Sequence, residues 1–229
     1  EVPVIRWMLA CVLLGPSLVS GQTVFFDDFN GNALLPHWNQ PPANAWAYNV
    51  SGGMLNVTGL FSPSNPKVMA NMAGIGASFG SVLIADLNVS VRMGWDEGTG
   101  HGIEFWLLSG GGSILAQFGY RAWAVSSPFV YASTGGQLVQ GPPPPAGLHD
   151  FEMVRAGSSF EFKVDGSTLA ILPVSGTIAE FSEIAVVFRG PYPGAQPALH
   201  LDRVIIIPSP PILSAVAFAL FAWCLLRGR

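Results

Sequence analysis

The stretch Val82-Leu83-Ile84-Ala85-Asp86-Leu87-Asn88-Val89-Ser90-Val91-Arg92-Met93 decides the fold. Leu83, Ala85, Leu87, Val89, Val91 and Met93 are apolar at every second position, and Asp86, Asn88, Ser90 and Arg92 fill the positions between. A period of two is that of a β-strand, whose successive side chains point to opposite faces, so the segment predicts a strand with one face in a core and the other in water. A surface helix needs its apolar residues three and four apart. No long stretch between the two ends of the chain has that spacing.

Outward from this strand the same period recurs. Phe160, Phe162 and Val164 alternate with Glu161, Lys163 and Asp165, and Asp165-Gly166 then supplies the pair of positive-φ positions that a tight hairpin needs before Thr168 to Leu172 returns. Further strands are expected over residues 23–29, 45–50, 54–60, 67–72, 102–108, 114–120, 148–155, 183–189 and 198–207. With 27 Gly and 19 Pro as punctuation, this pattern predicts one all-β domain over residues 22–207, an antiparallel sandwich or barrel. Pro142 to Pro145 reads as a stiff loop crossing between sheets rather than as a linker.

Composition separates the ends from the middle. The 229 residues are 50% apolar and 10% charged, well under the roughly 25% charged residues of an average soluble domain. Arg6, the apolar run Trp7 to Leu14 and the small residues Ser20 and Gly21 read as a secretory signal peptide over residues 1–21. At the other end, Pro208-Ser209-Pro210-Pro211 precedes the uncharged run Ile212 to Leu226 and then Arg227-Gly228-Arg229. As a helix that run rises about 22 Å against a hydrocarbon core of ~30 Å, so residues 208–229 predict a short transmembrane anchor with its arginines on the cytoplasmic side. Ten Lys and Arg stand against fourteen Asp and Glu, for a net charge of −4, which removes the electrostatic footing of nucleic-acid binding. Cys11 and Cys224 both lie in the end segments, so the domain has no disulfide, no thiol nucleophile and no cysteine zinc site.

Two resemblances follow. Pro-Ser-Pro, a short apolar helix and a terminal arginine cluster resemble the PEP-CTERM sorting tail of bacterial surface proteins, and this likeness implies a bacterial cell-surface location and processing by an exosortase-type membrane protease. Phe26-Asp27-Asp28-Phe29-Asn30-Gly31 followed by Trp38, the run Leu148 to Arg155, the Val164-Asp165-Gly166 hairpin and Leu201-Asp202-Arg203-Val204 resemble the concanavalin A-like lectin and glucanase superfamily. That likeness implies a jelly-roll sandwich of two large sheets, which in many relatives holds sugar, and it speaks to fold more than to function.

Retaining glycosidases need two carboxyl groups about 5–5.5 Å apart, and glucanases of that superfamily place them at alternate positions of one strand. Here the face of Glu104 continues with Gly102, Trp106 and Leu108, so the expectation is a protein that is not an enzyme. Asp150 with Glu152, and Glu161 with Asp165, read as the solvated side of a sandwich strand. His37, His101, His149 and His200 show no metal-ligand spacing.

Asp27, Asp28, Asn30 and Asp202 are hard-oxygen donors at the two ends of the domain, a candidate structural calcium set that the resemblance encourages and that ordinary Asx turns explain equally well. A sugar ring wants an aromatic platform beside polar edges, which nominates Trp95, Glu104, Trp106, Trp123 and Tyr131, with core filling as the competing reading of the aromatics. The expected function is therefore an exported, membrane-anchored surface protein binding carbohydrate or extracellular polysaccharide. The alternatives are a passive surface or matrix component and, behind it, a glycoside hydrolase or lyase.

Overall fold

The computed structural model describes residues 25–39, 46–60, 67–71, 87–97, 101–109, 112–122, 127–174, 183–190 and 199–208. The expected signal segment 1–21, residues 209–229 of the expected tail, Val82 to Asp86 and Trp123 lie outside them. Among the described residues there are strands and turns but no helix, and none long and apolar enough to cross a membrane.

In chain order the strands are β1 (Phe25–Asp27), β2 (Trp38–Asn39), β3 (Trp46–Ser51), β4 (Met54–Leu60) and β5 (Lys67–Asn71), then β6 (Leu87–Trp95), β7 (Gly102–Leu108), β8 (Ile114–Arg121), β9 (Phe129–Thr134) and β10 (Gln137–Gly141). They continue with β11 (Gly147–Ala156), β12 (Ser159–Val164), β13 (Ser167–Pro173), β14 (Glu183–Arg189) and β15 (Leu199–Pro208). An eight-stranded sheet runs β13-β12-β11-β6-β15-β4-β3, with β1 added on β15, and a seven-stranded sheet runs β10-β9-β8-β7-β14-β5-β2. The pairings are antiparallel throughout, from β11 with β6 to β8 with β9. The all-β, two-sheet expectation therefore holds.

From Asn88 onward the quoted alternation works as its period predicts. β6 lies inside the eight-stranded sheet between β11 and β15, with Val89, Val91 and Met93 in the core and Asn88, Ser90 and Arg92 on the outer face. The two sheets meet through aromatic contacts. Phe118 of β8 stands edge-on to Phe151 of β11 and Phe162 of β12, at 5.1 and 5.3 Å between ring centroids. Trp95 of β6 lies parallel to Tyr120 of β8 at 3.7 Å, and Trp46 of β3 stacks on Phe188 of β14 at 5.4 Å. Each such buried side chain contributes about 1.5–3 kcal/mol through removal of apolar surface from water.

The β12–β13 hairpin turns on Asp165 (φ 49°) and Gly166 (φ 76°), both positive as a two-residue type I′ turn demands. Pro142 to Pro145 carries the chain from β10, at the edge of one sheet, to β11 in the other. His149 on β11 secures that crossing: one ring nitrogen meets the Pro145 carbonyl at 2.8 Å and the other the Asp165 carboxylate at 2.7 Å. The sequence pattern does not reveal β2, β9 or β10. In β9 the apolar residues Phe129 and Tyr131 lie on the opposite face to Val130 and Ala132, so no polar face sets off an apolar one.

Candidate binding face on the seven-stranded sheet

A sandwich strand ordinarily shows water its second face. The outer face of the eight-stranded sheet does so: Arg92, Asp150, Asp202 and Arg203 form half-exposed ion pairs there. The outer face of the seven-stranded sheet is different. Leu108, Ala185 and Val187 make a second, separate apolar cluster on it with Trp106 packed alongside, and Glu104 in their midst is only 1% exposed. A buried carboxylate is costly unless paired and hydrogen-bonded. This one is held on both sides.

Register lays the face out in rows. One row crosses the sheet as Lys67, Val187, Glu104, Gly119, Tyr131 and Gln140. The row on one side is Arg189, Gly102, Arg121 and Phe129; on the other stand Ala185, Trp106, Gln117, Ser133 and Leu138. The Arg189 Nε–H donates to Glu104 Oε1, and Arg121 Nη2 donates to Glu104 Oε2 at 3.2 Å and to the Tyr131 hydroxyl at 3.3 Å. Gly119, directly opposite Glu104, lacks the side chain that would strike the Glu104 backbone and the Ile103 carbonyl. That gap keeps β7 and β8 close enough for the arginine of one to reach the carboxylate of the other.

The cations also sit on the aromatic rings. The Arg121 guanidinium lies 4.7 Å from the centroid of Tyr131, Arg189 lies 5.7 Å from that of Trp106, and the Lys67 ammonium approaches the same indole at 6.0 Å. Two buried donors, Trp106 Nε1–H and Arg121 Nε–H, have no acceptor among the described residues.

The sequence candidates divide accordingly. Glu104, Trp106 and Tyr131 share this face and form its centre. Trp95 does not: it is 3% exposed, stacked on Tyr120 in the interior, and continues the apolar parity of Val89, Val91 and Met93. As a sugar platform it is corrected to a core residue. Tyr131 is on the correct face but 2% exposed, so its ring serves Arg121 rather than an incoming sugar. Arg121, Arg189 and Lys67 escape a sequence reading focused on carboxylates and aromatics. The available signal was an arginine closing a mostly apolar run, in Ile114 to Arg121 and again in Ile184 to Arg189.

The calcium candidates have other partners in the structure. Asp27 is buried, and its two oxygens accept from the Phe29 amide at 2.8 Å and the Trp38 indole at 2.5 Å. Asp28 accepts from the amide of Asn30 at 3.3 Å, and Asp202 pairs with Arg92 at 3.4 Å. These carboxylates are spent on turns, an indole and an arginine, and among the described residues no group of three His, Cys, Asp or Glu is placed to hold a metal ion. The residues do not fit a calcium cradle.

No protein-family model matches the sequence, and no curated protein matches it. Solved structures do resemble it. The CBM2 module of Lactobacillus casei BL23 phage J-1 evolved Dit aligns with a TM-score of 0.61 at 14% identity, over 82% of this chain and 96% of that one. The endo-β-1,3-glucanase from Pyrococcus furiosus aligns at 0.58 and 12% identity, over 81% and 94%. The Emp47p carbohydrate recognition domain aligns at 0.58 and 10% identity, over 81% and 96%. Such identities establish the fold alone, a two-sheet antiparallel sandwich shared with these structures.

Proposed function

We propose that this chain is a non-catalytic carbohydrate-binding protein, exported by a bacterium and held at the cell surface by its C-terminal end, whose ligand meets the outer face of the seven-stranded sheet. The observation that carries the reading is the ionic and aromatic centre of that face, Glu104 between Arg121 and Arg189 beside Trp106. Both oxygens of Glu104 are engaged as acceptors, so neither is free to pass a proton to a glycosidic oxygen. Glu183 lies on the same face, opposite Leu108. Four residues of strand, about 13 Å, separate that position from the row of Glu104, beyond the roughly 5–9.5 Å that either hydrolytic geometry uses. The folds of a binding module and a carbohydrate recognition domain among the similar structures support the same reading.

The sequence divides the chain into a signal segment 1–21, the sandwich 22–207 and an anchor 208–229, the last a candidate for exosortase-type processing. The test is a glycan array probed with the full chain in detergent, beside an assay for reducing-sugar release. Binding that weakens in Trp106→Ala without sugar release is the expected result. Sugar release abolished by Glu104→Gln would overturn the non-catalytic assignment, and silence on a broad array would favour a passive surface component.

A further inference from the structure

We propose that the sugar taken by this face carries an acid group, a carboxylate or sulfate ester, bound by Arg189, Arg121 and Lys67 beside Trp106. The inference rests on the carbohydrate reading above and narrows it. Three adjoining rows of the face hold three cations and one carboxylate. Glu104 uses one nitrogen of Arg189 and one of Arg121, and among the described residues Lys67 has no carboxylate partner, only the indole of Trp106. Among the described residues the next acid on the face, Glu183, stands beyond the Trp106 row and has a partner of its own. The excess is therefore positive, and local to this face, in a chain whose net charge is −4.

Two further observations ask for an acceptor. Among the described residues, Trp106 Nε1–H and Arg121 Nε–H are buried donors without partners on the same face, a costly state that an acceptor-rich ligand relieves. The side chains of Arg189 and Arg121 are 15% and 30% exposed against 1% for Glu104, so the arginines lie nearer the surface than the carboxylate they hold. A guanidinium fork matches a planar carboxylate or a sulfate in two parallel hydrogen bonds. A neutral sugar would leave the excess charge uncompensated.

The experiment measures binding of the full chain in detergent to polygalacturonate, to the same polymer with its carboxyls reduced to alcohols, to dextran sulfate, to dextran, and to poly-glutamate. The expected result is binding to the acidic glycans that falls steeply with added salt, with little affinity for their neutral counterparts. Lys67→Gln, which touches no ion pair, is expected to weaken acidic-glycan binding by about two- to fivefold. Arg189→Gln strips a partner from buried Glu104, so it is paired with Glu104→Gln/Arg189→Gln, and both are expected to lose on the order of tenfold or more. Equal binding to the acidic and neutral polymers would overturn this inference and leave the carbohydrate reading standing. Equal binding to poly-glutamate would overturn it as a generic polyanion surface. Binding to no glycan of either series would sink both.

Discussion

At Asp27 a single side chain joins the two sheets. It lies on β1, which pairs with β15 of the eight-stranded sheet, and its carboxylate accepts the indole of Trp38 on β2, which pairs with β5 of the seven-stranded sheet. The other oxygen caps the Phe29 amide, holding that residue at φ 51°, and the Phe29 ring stacks on Trp38 at 5.9 Å. The motif that suggested calcium is a clasp. Asp27→Ala orphans two donors and is expected to cost on the order of 2–4 kcal/mol, read as a lower urea midpoint at unchanged slope. An unchanged midpoint would show that the clasp is ornamental. Calcium is expected to leave the wild-type midpoint where it is, and a calcium-dependent rise would restore the ion. Gly119 is decisive for a different reason. Gly119→Ala drives a methyl into the β7 backbone, so it is expected to destabilise the sandwich by about 1–3 kcal/mol and to loosen Arg121 from Glu104.

The strand elements were legible wherever one face meets the core and the other meets water. β6, β12 and β13 show that contrast, and the Asp165-Gly166 turn announces its own φ values. Asp165 does more than turn the chain. Its oxygens accept the Asp150 amide at 2.9 Å and meet the His149 ring at 2.7 Å, so the hairpin tip holds the start of β11. Asp165→Ala is expected to cost about 1–3 kcal/mol and to speed hydrogen exchange of the Asp150 amide. Protection that survives the substitution would show that the tip does not brace β11.

The candidate face was only half legible. Strand parity puts Glu104 and Trp106 together, and the same parity, followed two residues past Met93, puts Trp95 in the core. The arginines are another matter. They stand 17 and 85 residues from Glu104 in sequence and reach it only because sheet order places β8 and β14 on either side of β7. Local periodicity carries no information about which strands become neighbours.

At the scale of the whole molecule, the two sheets meet where Trp95 stacks on Tyr120, with ring centroids 3.7 Å apart. Tyr120 is 4% exposed, and burial raises its hydroxyl above the ordinary value of 10.0, because the phenolate would be stripped of water in the interior. The sign of the consequence follows from proton counts. Above pH 10 the unfolded chain releases this proton while the folded chain keeps it, so the unfolded state binds fewer protons and stability falls as pH rises. The contribution is fully present below the unfolded value and is lost as pH climbs through the folded one. Urea unfolding of the full chain between pH 8 and pH 11 is expected to show a falling midpoint, and Tyr120→Phe, which keeps the ring against Trp95 and removes the proton, is expected to flatten that fall. The variant should match wild type near pH 8. If the alkaline loss persists undiminished in Tyr120→Phe, the titration responsible lies outside this contact, and the interior between the sheets tolerates high pH.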